Sequence, residues 1–191
     1  MRIITYILLS SCLLAACKDD AKVSRHTAEE FFDLEAFVRE ETNRFQQSNC
    51  RIYKEASVNG ETDQGSQTTT DWDKELRILA NMSIRKSAWY DYFSIDTVRD
   101  DGNDLVTVRY TTESSKIPVK LLELSYAPND FKQPLHIHVE RQNQNLIFRS
   151  SQSLYYTAGA ALKAEGSQKM LWFDEQNFSI TTLYNCTNEP D

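Results

Sequence analysis

Leu105-Val106-Thr107-Val108-Arg109-Tyr110 and, ten residues on, Lys120-Leu121-Leu122-Glu123-Leu124 decide the class of fold. Their β-branched, aromatic and leucine side chains suit a pleated, half-buried surface, and each run has the length of one strand. From about Tyr90 onward the hydrophobic period stays near two. Groups that favour turns or left-handed backbone punctuate the chain at Asp100-Asp101-Gly102-Asn103, Pro128-Asn129-Asp130, Gln142-Asn143-Gln144-Asn145, Glu165-Gly166-Ser167 and Gln176-Asn177. About eight consecutive strands are expected here, meandering up and down.

Upstream the pattern changes. Residues 50–58 and 61–69 flank Asn59-Gly60, a pair that tolerates the positive φ angles of a tight hairpin turn. Thr70 or Asp71 can cap a short helix that places Trp72, Leu76 and Leu79 on one face and ends before Lys86. Before the hairpin, Thr27-Ala28-Glu29-Glu30 has capping-box spacing. Phe31, Leu34, Val38 and Phe45 then recur at helical spacing, so a long amphipathic helix is expected to about Gln47, with an acidic polar face. The expected fold is α+β: the long N-terminal helix and the second short one packed on a curved antiparallel meander sheet or open barrel of about ten strands. This order of elements resembles, loosely, the half-barrel lipoprotein carriers and receptors of the bacterial envelope, although no motif carries that likeness.

The extreme N-terminus has a different character. Arg2 precedes an apolar run over residues 3–16 that is too short to span a bilayer, where roughly 20 residues are needed. A positive start, an apolar middle and small residues at the end make a secretory signal. It closes on Leu14-Ala15-Ala16-Cys17, which resembles the lipobox of bacterial lipoproteins. The resemblance implies cleavage before Cys17 and acylation of its thiol, and two or more acyl chains anchor a protein stably. The membrane is therefore the expected partner, through covalent lipid at Cys17. Lys18 replaces the aspartate of inner-membrane retention, and Lys18-Asp19-Asp20 resembles the export signal of some surface-exposed lipoproteins of Gram-negative bacteria. Outer-membrane anchorage is expected, with a lean toward the cell surface. The chain then divides into a signal peptide (1–16), an acylated cysteine and polar tether (17–26) and one α+β domain (27–191).

At 191 residues with a net charge of −7, the chain has room for one domain. Removing residues 1–16 takes away only one charged residue, Arg2, so the mature domain is more acidic still. No Lys/Arg cluster offers the basic face that nucleic acid or a polybasic membrane contact requires.

Catalytic signatures are sparse. Once Cys12 leaves with the signal and Cys17 is acylated, Cys50 and Cys186 remain, at the start of the first expected strand and the end of the last. In an exported protein they either bridge or persist as two buried thiols. His136, His138 and Glu140 alternate onto one strand face and are the nearest approach to a metal site. His26, the third histidine, lies far away in the tether, so the pair reads as solvated and no metal or other cofactor is expected. No Gly-x-Ser-x-Gly elbow occurs, and the five glycines at 60, 65, 102, 159 and 166 are too scattered for a phosphate loop. The paired carboxylates Glu29/Glu30, Glu40/Glu41 and Asp100/Asp101 fall on expected helix faces or turns. The aromatic cluster Trp89-Tyr90-Asp91-Tyr92-Phe93 suits core packing. A non-enzymatic binding or envelope-structural domain is the leading expectation, its partner a protein, glycan or lipid. A carrier or receptor for an acyl chain or other apolar ligand comes second, and a metal-dependent hydrolase third.

Overall fold

The computed structural model describes residues 26–68, 70–100 and 102–187. Two α-helices, α1 (Leu34–Gln46) and α2 (Trp72–Ala80), accompany nine strands: β1 (Asn49–Val58), β2 (Glu61–Gln67), β3 (Ser94–Asp100), β4 (Leu105–Thr111), β5 (Val119–Tyr126), β6 (His136–Gln144), β7 (Phe148–Thr157), β8 (Ala161–Met170) and β9 (Gln176–Thr187). They form one antiparallel sheet in the order β2-β1-β9-β8-β7-β6-β5-β4-β3, which does not close. The chain builds the β1–β2 hairpin, crosses through α2 to the far edge, and returns strand by strand until β9 docks on β1.

The hairpin turns on Asn59 (φ 52°) and Gly60 (φ 90°), the backbone that an Asn-Gly turn favours. Asp71 caps α2, its carboxylate accepting from the Lys74 N–H at 3.2 Å. The first helix is shorter than its hydrophobic pattern implies. Thr27 and Glu30 do engage, Glu30 accepting from the Thr27 N–H at 2.8 Å, but they close only a 3-10 turn over Ala28–Glu30. Residues 31–33 then leave helical geometry, and Phe31 drops into an aromatic cluster, stacking on Tyr90 at 4.4 Å. A restart follows at Asp33, whose carboxylate accepts from the Ala36 N–H at 2.9 Å and pairs with Arg85. Burial of one aromatic ring thus divides what periodicity reads as continuous.

Seven strands, not about eight, follow residue 90, for nine in all. Three expected turns are strand instead. Gln142–Gln144 continue β6, and the reversal falls on Asn145, whose side chain accepts from the Ile147 and Phe148 N–H groups at 3.0 and 2.9 Å. Gly166 lies inside β8, where a Cβ would sit 2.2 Å from the Ser151 carbonyl oxygen and 3.0 Å from the Phe178 ring. Close backbone approach, not a turn, explains that glycine. Gln176 and Asn177 open β9, and Asn177 donates its N–H to the Asn59 side chain at 2.8 Å. Asp101 and Thr69 lie outside the described residues.

Both helices cover one face of the sheet. Leu34, Phe37, Phe45, Leu76 and Leu79 meet Ile52, Leu122, Leu124, Val139, Leu154 and Tyr156 in one core, all buried. Phe45 stacks on Trp72 at 4.5 Å and lies 4.9 Å from Tyr184. At about 25 cal/mol per Å² of apolar surface removed from water, this contact is the main favourable contribution to the fold.

Candidate functional site

Polar groups collect at three places, and each has an account in the fold. Under the helices, Glu41 is buried in α1, accepts from the Tyr156 hydroxyl, and pairs with Arg44 at 2.5 Å. Burial first, then the adjacent Glu41 carboxylate, push the Tyr156 phenol above its ordinary range, so it stays a hydrogen-bond donor. Nearby, Glu75 of α2 accepts from the Thr182 hydroxyl at 2.8 Å and pairs with Lys54 at 2.5 Å. These contacts pin the helices to the sheet.

On the opposite face the register aligns one residue from each strand: Asp96, Arg109, Glu123, His138, Tyr155, Lys163 and Thr181 from β3 through β9. Glu123 accepts from Arg109 Nε at 2.6 Å and lies 3.0 Å from His138 Nδ1. The His138 ring stacks on Tyr155 with centroids 4.5 Å apart and planes 7° from parallel. Burial works to raise the Glu123 pKa, but its hydrogen bonds to His138 and Arg109 prevail and hold it below the ordinary carboxylate value. His136, His138 and Glu140 share this face, yet they do not converge. His136 Nδ1 is 3.3 Å from the Thr157 hydroxyl, and His138 Nε2 is 3.8 Å from Glu140. Among the described residues, no three His, Cys, Asp or Glu side chains are disposed to share a metal ion. The principal partner of His138 comes from the neighbouring strand, which residue spacing within β6 could not reveal.

Between α1 and α2 lies an open cleft of about 470 Å³, walled by Glu35, Arg39, Thr42, Asp73, Arg77 and Lys86. Its charges are of both signs, and Ser83 lines it as well. The aromatic run at 89–93 is divided in use. Tyr90 and Phe93 enter the core, while Trp89 takes the Lys86 ammonium over its ring at 4.2 Å.

Cys50 and Cys186 are direct partners in the β1–β9 register and form a disulfide. It joins the first strand to the last. Cys17, Lys18, Asp19 and Asp20 lie outside the described residues. No helix among the described residues is long and apolar enough to cross a membrane.

One feature carried no signal in strand periodicity. The β6–β7 and β8–β9 connections, residues 145–147 and 171–175, project Leu146, Ile147, Leu171, Trp172 and Phe173 into solvent. The run Leu171-Trp172-Phe173 reads as a buried strand by composition, and only the placement of Met170 at the end of β8 makes it a tip.

No protein-family model matches the chain, and no curated protein sequence matches it.

Proposed function

We propose that this protein is an outer-membrane lipoprotein, anchored through acyl chains on Cys17, whose domain is a non-enzymatic binding or envelope-structural module. The carrying observation is the order of residues 1–20: Arg2, an apolar run too short to span, Leu14-Ala15-Ala16-Cys17, and then Lys18-Asp19-Asp20. Side chains from both helices occupy the space over the sheet. That packing favours a domain working through its surface over one enclosing an apolar cargo. Engagement of His138 by Glu123 and Tyr155 likewise favours a structural role for the only pair of neighbouring histidines.

Protease treatment of intact cells tests the surface address. Wild-type protein is expected to be digested, and a variant with Lys18, Asp19 and Asp20 all replaced by Ala to become protected while remaining in the outer-membrane fraction. Protection of the wild type in sound cells places the domain on the periplasmic side, and recovery in the soluble periplasm removes the anchor altogether.

A further inference from the structure

We infer that the two adjoining hairpin tips, residues 145–147 and 171–173, enter the surface of the bilayer that holds the lipid anchor. Five large apolar residues stand there in two short runs. Leu146 is 96% exposed, Trp172 81% and Phe173 67%, and Ile147 and Leu171 are also mostly in water. Isolated exposed leucines are ordinary on protein surfaces, but a contiguous apolar patch marks a contact with something apolar. These residues are contiguous because the Leu171 N–H donates to the Ile147 carbonyl at 3.0 Å, locking one tip beside the other.

The tips project, whereas a groove would be needed to receive a partner's helix or strand. Neither 145–148 nor 170–173 contains a charge. The nearest charges in sequence balance: Arg149 and Lys169, paired across β7 and β8, and then Asp174 and Glu175. Lipid contact is therefore led by apolar area, with Trp172 of the residue type that favours the boundary between headgroups and acyl chains.

The chain N-terminal to the described domain also fits a bilayer at this end. Tyr110 donates its hydroxyl to the Glu30 carbonyl at 3.0 Å, so the chain enters the domain at the level of Tyr110. Tyr110 faces Leu122, and Leu122 faces Val139. Leu146 follows Val139 by seven residues, a distance of about 23 Å at strand rise. Nine residue steps separate Cys17 from His26, with a reach of at most about 32 Å. One membrane can hold both the acyl chains and the tips. This geometric step rests on acylation at Cys17; the apolar contact itself does not.

The test uses the mature chain with Cys17→Ser, hence unacylated, mixed with phosphatidylcholine vesicles brominated in their acyl chains. Tryptophan emission is expected to shift blue and to be partly quenched. Trp172→Phe should abolish that lipid-dependent signal while leaving vesicle flotation in place, because Trp72 is buried and Trp89 is packed partly against the core with Lys86 over its ring. The double substitution Leu146→Asp/Phe173→Asp should lower flotation at least about tenfold with unchanged circular dichroism. Replacing phosphatidylcholine with a phosphatidylethanolamine and phosphatidylglycerol mixture should change binding little. The inference is overturned if bromolipid leaves the emission unaltered, or if the blue shift occurs without lipid and rises with protein concentration, which identifies a second copy of the chain as the occupant. The intact mass of the natural protein decides acylation separately, so the two failures are distinguishable.

Discussion

Glu123 shows how far single residues were legible. Alternation placed His136, His138 and Glu140 on one face of a strand, and they do share it, but the residue that engages His138 most closely sits fifteen positions earlier on β5. Cross-strand partners are set by register, which depends on every turn between them. Because Glu123 has a folded pKa below its ordinary value of 4.5, its stabilising contribution is complete above that value and disappears as pH falls through the folded pKa. Glu123→Gln should therefore flatten the dependence of stability on pH below about 4.5, by up to about 1 kcal/mol for so partly exposed a pair. Urea denaturation at a series of acidic pH values checks this, and identical slopes for the two proteins contradict it. Glu41 is a stronger case, being only 2% exposed. Glu41→Ala strands the Tyr156 hydroxyl and should cost about 2–3 kcal/mol in the same measurement, while Tyr156→Phe costs about 1 kcal/mol.

At the scale of elements, the sequence disclosed the kinds of structure more faithfully than their ends. The Asn59-Gly60 hairpin, α2 with its Asp71 cap, and strands over 105–110 and 120–124 all occur where periodicity and turn chemistry put them. Two of the errors share a cause: a local signal lost to tertiary packing. Phe31 interrupts the first helix because its ring is buried against Tyr90, and Gly166 sits in a strand because β7 and Phe178 crowd it. Neither pressure acts between neighbours in sequence. Gly166→Val should accordingly be more damaging than its exposure implies, costing at least about 2 kcal/mol through displacement of β8. A thermal melt tests it; an unchanged Tm means that β7 yields without strain. By contrast, Gly65, also in a strand, has open space where a Cβ would go, so Gly65→Ala should be neutral or slightly stabilising.

The whole molecule is held in register by its first and last strands. Cys50 and Cys186 are 136 residues apart in sequence, and closing so long a loop limits the unfolded chain by about 5 kcal/mol in the chain-entropy model. Substituting both cysteines with serine should lower the urea midpoint substantially, with little change if the denatured chain is already compact. Such a bond persists in an oxidising compartment, which is the compartment the proposed export would give it. The sequence disclosed the mixed class of fold, but the apolar tips required the structure, since Leu171-Trp172-Phe173 has the composition of a core strand and only strand ends show that it faces water. The proposed anchor and the proposed tip contact both put the domain against lipid, and the first is the more basic of the two proposals. The direct measurement is intact mass and N-terminal sequence of the protein purified from its native envelope. The expected result is a chain beginning at Cys17 with the added mass of diacylglycerol, and a Cys17→Ser variant left uncleaved by lipoprotein signal peptidase. A mature chain that starts elsewhere, or a Cys17 without acyl mass, contradicts it.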